Sequence, residues 1–144
     1  MLKDKLKKDS VEALKSGDKF RVGVLRFLIS LIDKKELSLP PGSLKEEDEI
    51  QVLKKELKNK EESVKMFQDA GRKDLYEPLF AEIEIVKQYL PKEMSEEEVG
   101  KIVDEVLGEL GETDFGGAMR EVMKKVAGRA GGEVVSKLVR EKLG

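Results

Sequence analysis

Residues 89–98 read Tyr-Leu-Pro-Lys-Glu-Met-Ser-Glu-Glu-Glu, and this stretch divides the chain. Pro91 ends a helical pattern, because the residue before a proline is steered out of the α region. Ser95, followed by Glu98, forms a capping box that opens a new helix. Val99, Ile102, Val103, Val106, Leu107 and Leu110 then recur at helical spacing. Thr113 or Asp114 is placed to cap a second helix carrying Phe115, Met119, Val122, Met123 and Val126. A third carries Val134, Val135, Leu138, Val139 and Leu143. Residues 92–144 are therefore expected to form a small three-helix tail domain, near the lower size limit for independent folding.

Upstream, residues 1–91 read as an N-terminal helical domain. A first helix from Leu2 to Lys15 is stopped by Gly17, and Asp18 caps a second, Lys19 to Leu37. The second helix is apolar on more than one face and is expected to be the central one. Ser38-Leu39-Pro40-Pro41-Gly42-Ser43 is a loop. From Glu46 to Ala70, the residues Ile50, Leu53, Leu57, Val64 and Phe67 form a narrow seam on a charged rod, which calls for an antiparallel partner. Gly71 ends that helix. Asp74-x-x-Glu77 has the pattern of a capping box for the next, striped by Leu75, Leu79, Ile83, Val86 and Leu90. No segment shows strand alternation, so the chain is read as all-α, with a long helical hairpin followed by the tail.

Composition narrows the chemistry. Charged residues make up 40% of the 144 positions and hydrophobic ones 39%, with a net charge of −2. The charged share exceeds the usual ~25%, which suits helices with one apolar stripe. Cysteine and histidine are absent. Thiol chemistry, Cys/His metal sites and imidazole acid–base catalysis are thereby excluded. The apolar run near Leu25–Ile32 is far shorter than the ~20 residues of a membrane span. MLKDKLKKDS lacks the apolar core of a secretory signal, so a cytoplasmic protein without membrane partners is expected. Carboxylate pairs such as Glu82 with Glu84 arise by chance among thirty acids, and no catalytic residue, metal or cofactor is assigned.

Charge is unevenly distributed in the tail. Residues 92–112 hold two basic and eight acidic residues, a net of −6, and residues 113–144 hold seven basic and four acidic, a net of +3. Lys124, Lys125, Arg129, Lys137 and Arg140 are the candidate nucleic-acid contacts within that basic part, and a solvated helical face is the competing reading. Cations without an aromatic platform would contact a phosphate backbone and not read sequence. Gly128-Arg129-Ala130-Gly131-Gly132 has no Gly-Lys-Ser/Thr after it and no strand before it, so it is read as a tight turn with positive φ at Gly131 or Gly132. Arg21 and Arg26, on the most apolar helix, are expected to pair with carboxylates such as Glu56 and Glu61. Lys54, Lys55, Lys58 and Lys60 are read as a solvated face. Arg72 with Asp74 is read as a cap or local ion pair.

Several of these features occur in one order: Arg21-x-x-x-Leu25-Arg26, Lys55-Glu56-x-Lys58, Gly71-Arg72-x-Asp74-Leu75, Glu82, Tyr89-Leu90-Pro91-Lys92, Met119-x-x-Val122-Met123 and Gly128-Arg129-Ala130. The series resembles the GatB/YqeY family and covers almost the whole chain. It is similar to a stand-alone YqeY-type member, whose tail looks like the C-terminal domain of the B subunit of Asp/Glu-tRNA amidotransferase. Gly131 stands where the family often has Asp, and Leu79 where it often has an acidic residue. The resemblance implies an all-α fold, a link to tRNA, and the family label of carbon–nitrogen ligase with glutamine as amide donor. It marks Arg21, Arg26, Lys55, Lys58, Arg72, Asp74 and Glu82 as motif residues without an assigned role.

Three functions compete on this footing. The first is a tRNA-binding or amidotransferase-associated accessory protein, with tRNA and amidotransferase subunits as partners. The second is a protein-interaction adaptor using the charged hairpin. The third, least favoured, is a subunit of the glutamine-dependent ligase itself.

Overall fold

The computed structural model describes Met1–Gly144, which form seven helices and no strand. The helices are α1 (Leu2–Ser16), α2 (Lys19–Leu37), α3 (Glu46–Asp69), α4 (Lys73–Lys87), α5 (Glu96–Leu110), α6 (Phe115–Val126) and α7 (Gly132–Leu143). The chain divides into two compact units, Met1–Leu90 and Pro91–Gly144.

In the first unit α1 packs on α2, α3 on α4, and α2 touches all three of its neighbours. The core joins Leu6 of α1, Leu25, Leu28 and Ile32 of α2, Leu53 of α3, and Val86 and Tyr89 from the end of α4. Local chemistry sets the joints. Gly17 takes φ 80°, and Asp18 accepts the Arg21 N–H at 3.0 Å to cap α2. Gly71 takes φ 70° and turns the hairpin, the Arg72 N–H closing onto the Phe67 carbonyl at 2.9 Å. A left-handed residue at a helix end costs glycine little, because it has no Cβ.

Two expectations fail here. The N-cap of α4 is Arg72, not Asp74, and the Asp74–Glu77 capping box does not form. Asp74 is drawn back to the Arg72 guanidinium by two hydrogen bonds of 3.1 and 2.9 Å, while Glu77 pairs with Lys73 at 3.4 Å. Pro78 consequently lies deeper in the helix than the first turn.

In the second unit, α5, α6 and α7 each contact the other two. The core is a set of small, stiff side chains at helical spacing: Val99, Val103 and Val106; Ala118, Val122 and Val126; Val135, Leu138 and Val139. β-branched valines lose little rotamer freedom when packed, which helps so small a core hold. Leu110, Phe115, Met123 and Leu143 were read into these stripes, yet each stays more than a third exposed at the edge. Ser95 accepts the Glu98 N–H at 3.1 Å, and Asp114 accepts the Gly117 N–H at 2.7 Å, so both helix starts lie where the sequence places them.

The α6–α7 turn differs from its expected form. Ala127 (φ 48°) and Gly128 (φ 81°) take the left-handed conformation, and Gly131 is an extended N-cap with φ −76°. The reversal is completed at the C-terminus of α6, leaving Gly131 to start α7.

Candidate nucleic-acid interface

The five tail cations are not equivalent. Lys125, in the last turn of α6, reaches Glu105 at 3.0 Å and Glu109 at 3.3 Å on α5. The hydrogen bond to Glu105, with Glu109 beside it, holds the Lys125 ammonium above its ordinary pKa despite slight desolvation. Lys124 pairs with Glu121 at 3.1 Å on its own helix. Lys142, from α7, pairs with Asp104 at 2.8 Å. The acidic α5 and the basic helices thus neutralise one another in part, through ion pairs at the unit's surface.

Arg129 is held in the fold. Its Nε donates to the Lys92 carbonyl at 2.9 Å, and its own carbonyl accepts the Met94 N–H at 2.7 Å. This reciprocal pair ties the segment after Pro91 to the α6–α7 turn. Within the second unit, Lys92, the last residue of the Tyr-Leu-Pro-Lys motif, therefore meets Arg129 of Gly-Arg-Ala.

Lys137 and Arg140 remain. They stand three residues apart on the exposed side of α7, neither in an ion pair. The Arg140 guanidinium lies 5.1 Å from the centre of the Phe115 ring. Phe115 opens α6 and is 37% exposed. The Arg140–Phe115 contact is a cation–π pair at the surface of this unit, with Lys137 one helical turn away on α7. In sequence Phe115 falls on the apolar stripe of α6, at its first position, so periodicity gives no sign of this exposure.

The motif residues of the first unit fall into separate places. Arg21 donates from Nη2 to Gln88 Oε1 at 2.9 Å and to the Tyr89 hydroxyl at 3.1 Å. It does not pair with Glu56 or Glu61, because α2 turns this edge toward the end of α4. Arg26 is exposed and unpaired. The Tyr89 hydroxyl donates in turn to Asp9 at 2.5 Å. Burial, and then Asp9, push the Tyr89 phenol up to about 12.

Lys60 was read as solvated. It is buried, with Nζ 3.2 Å from Glu56, 3.7 Å from Glu82 and 5.4 Å from the Phe27 ring centre. The motif residue Glu82 thus closes a buried charge cluster among α2, α3 and α4. Lys60 follows Leu53 by seven residues and precedes Val64 by four, and that seam position was the signal for its burial. Lys55 and Lys58 are exposed. Arg72 and Asp74 form an exposed pair at the hairpin tip, whose hydrogen bonds keep Asp74 below its ordinary pKa. No group of carboxylates is arranged to hold a metal ion, and no helix is long and apolar enough to cross a membrane.

The chain is 32% identical to the mitochondrial "Altered inheritance of mitochondria protein 41" of Lachancea thermotolerans over 127 residues, 87% of this chain and 68% of that one. An uncharacterised protein of Schizosaccharomyces pombe is 29% identical over 90 residues, 62% of this chain and 72% of its own length. The model of the Yqey-like protein family matches residues 3–143. With the match running through both units, the chain belongs to the YqeY-like family.

Proposed function

We propose that this protein is an RNA-binding accessory factor, with tRNA as its ligand, that grips the phosphate backbone through the Lys137–Arg140 edge of α7. The supporting observation is that these two cations stand exposed and outside any ion pair, Arg140 lying over the Phe115 ring, whereas Lys124, Lys125 and Lys142 are already met by carboxylates. The resemblance of the tail to a tRNA-holding domain of the amidotransferase points the same way.

The second unit holds nine basic and twelve acidic residues, a net of −3. Attraction must therefore be local, acting within about a Debye length of ~8–10 Å at physiological salt. Few phosphates are engaged, so binding should be weak, with a shallow but measurable dependence on salt. Filter binding of tRNA at low and at physiological salt tests this. Each backbone contact contributes about −0.7 to −0.9 to the slope of log K against log salt. Lys137→Glu with Arg140→Glu should abolish retention, and Lys125→Glu should change it far less. Undetectable binding at low salt, salt-independent binding, or indifference to the Lys137 and Arg140 changes overturns the proposal.

A further inference from the structure

The first unit carries a groove of about 490 Å³ between α2 and α3. Leu31 and Val52 give it apolar walls, and Lys34, Lys35 and Lys55 stand around it. None of these three lysines has an ion-pair partner. The reason lies in how the neighbouring acids are used. Asp33 and Glu36, which flank Lys34 and Lys35 along α2, are both taken by Lys3 of α1, at 2.5 and 3.6 Å. Glu56, on the α3 side, is taken by buried Lys60 at 3.2 Å. Packing thus removes the local counter-charges and leaves a cationic rim on an apolar groove.

From this arrangement we infer that the α2–α3 groove is a docking site for an acidic amphipathic helical segment of a partner protein. Apolar side chains of the segment enter between Leu31 and Val52, while its carboxylates meet Lys34, Lys35 and Lys55. Charge complementarity selects an anion. The aliphatic lining, without an aromatic side chain on which a base could stack, favours a peptide over RNA. The inference is independent of the tail reading, since the groove shares no residue with α6 or α7.

The test uses the full chain and a fluorescein-labelled synthetic peptide, with leucines at positions i, i+3, i+4 and i+7 and glutamates on the flanking positions. A scrambled peptide of the same composition and tRNA serve as competing probes. The amphipathic peptide should give saturable anisotropy, with the scrambled one at least about tenfold weaker. Lys34→Glu with Lys55→Glu should weaken it by about tenfold or more. All these positions are on the surface, and an unchanged melting temperature checks that the variants fold. Lys137→Glu with Arg140→Glu should leave peptide binding as it is. Equal binding of the scrambled peptide, no effect of the groove variants, or a groove-variant effect seen with tRNA in place of the peptide overturns the inference.

Discussion

The backbone N–H of Lys3 donates to the Glu49 carboxylate at 2.8 Å, across forty-six positions of sequence. Met1 supplies no side-chain cap to α1, so the first turn of that helix is capped by a fully buried residue of α3. The contact fixes the start of α1 against the start of α3. Glu49→Ala should lower unfolding stability by about 1–3 kcal/mol, through the stranded amide and the space left behind. Glu49→Gln, which keeps an acceptor and the shape, should cost less. Denaturant titration of the three proteins checks the order. Equal losses for the two substitutions would contradict capping as the cause.

Tyr89 locks α1 and α2 to the end of α4 through Asp9 and Arg21. Its phenol titrates near 12, above the ordinary value of 10, chiefly because it is buried and then because it donates to Asp9. The folded state therefore favours the protonated phenol. The stability this adds is present below pH 10 and is lost as pH rises through about 12. Stability measured across that window should fall in the parent and fall less in Tyr89→Phe. At neutral pH, Tyr89→Phe should cost about 0.5–1.5 kcal/mol for the lost hydrogen bond.

Lys60 faces two carboxylates whose own side chains are 15% and 27% exposed, so its removal leaves like charges facing each other with little water. Lys60→Met should destabilise by about 1–3 kcal/mol, with solvent access to the carboxylates keeping it below the full penalty of a deeply buried pair. Adding Glu82→Gln to Lys60→Met should recover part of the loss. A double-mutant cycle by thermal unfolding reads this coupling directly. Strict additivity would show that the cluster does not act as a unit.

Ala127 is the one residue other than glycine with positive φ, at the C-cap of α6. A Cβ in the left-handed region costs about 1–2 kcal/mol. Ala127→Gly should therefore raise stability, by about 0.5–1 kcal/mol after the greater freedom of glycine in the unfolded chain is subtracted. The melting temperature of the full chain provides the measurement, and a decrease would refute the strain.

The elements themselves were legible because their signals are local. Asp18, Ser95 and Asp114 each accept an amide three residues on, and Gly17 and Gly71 each take positive φ, within reach of their own neighbours in sequence. Periodicity likewise marked Val99, Val103 and Val106 as one buried face of α5. Where two local solutions competed, the sequence offered both and did not choose. Asp74 could cap α4 or bind Arg72, and the bidentate ion pair won.

The sites were less legible, because a side chain's charge state and accessibility depend on partners remote in sequence. Lys125 and Lys137 look alike in a count of cations. Only the packing of α5 against α6 shows that Glu105 and Glu109 have claimed the first and left the second exposed. Lys60 and Lys55 likewise belong to one basic run, yet one is buried against Glu56 and Glu82 and the other borders an open groove. By itself, then, the sequence determined the seven helices and most of their ends, though not the limits of α4 or the form of the α6–α7 turn, since caps, glycines and apolar stripes act within a turn or two. Tertiary structure alone decided which charges are spent inside the protein and which are left for a ligand, since Coulombic pairing depends on distance in space and not along the chain.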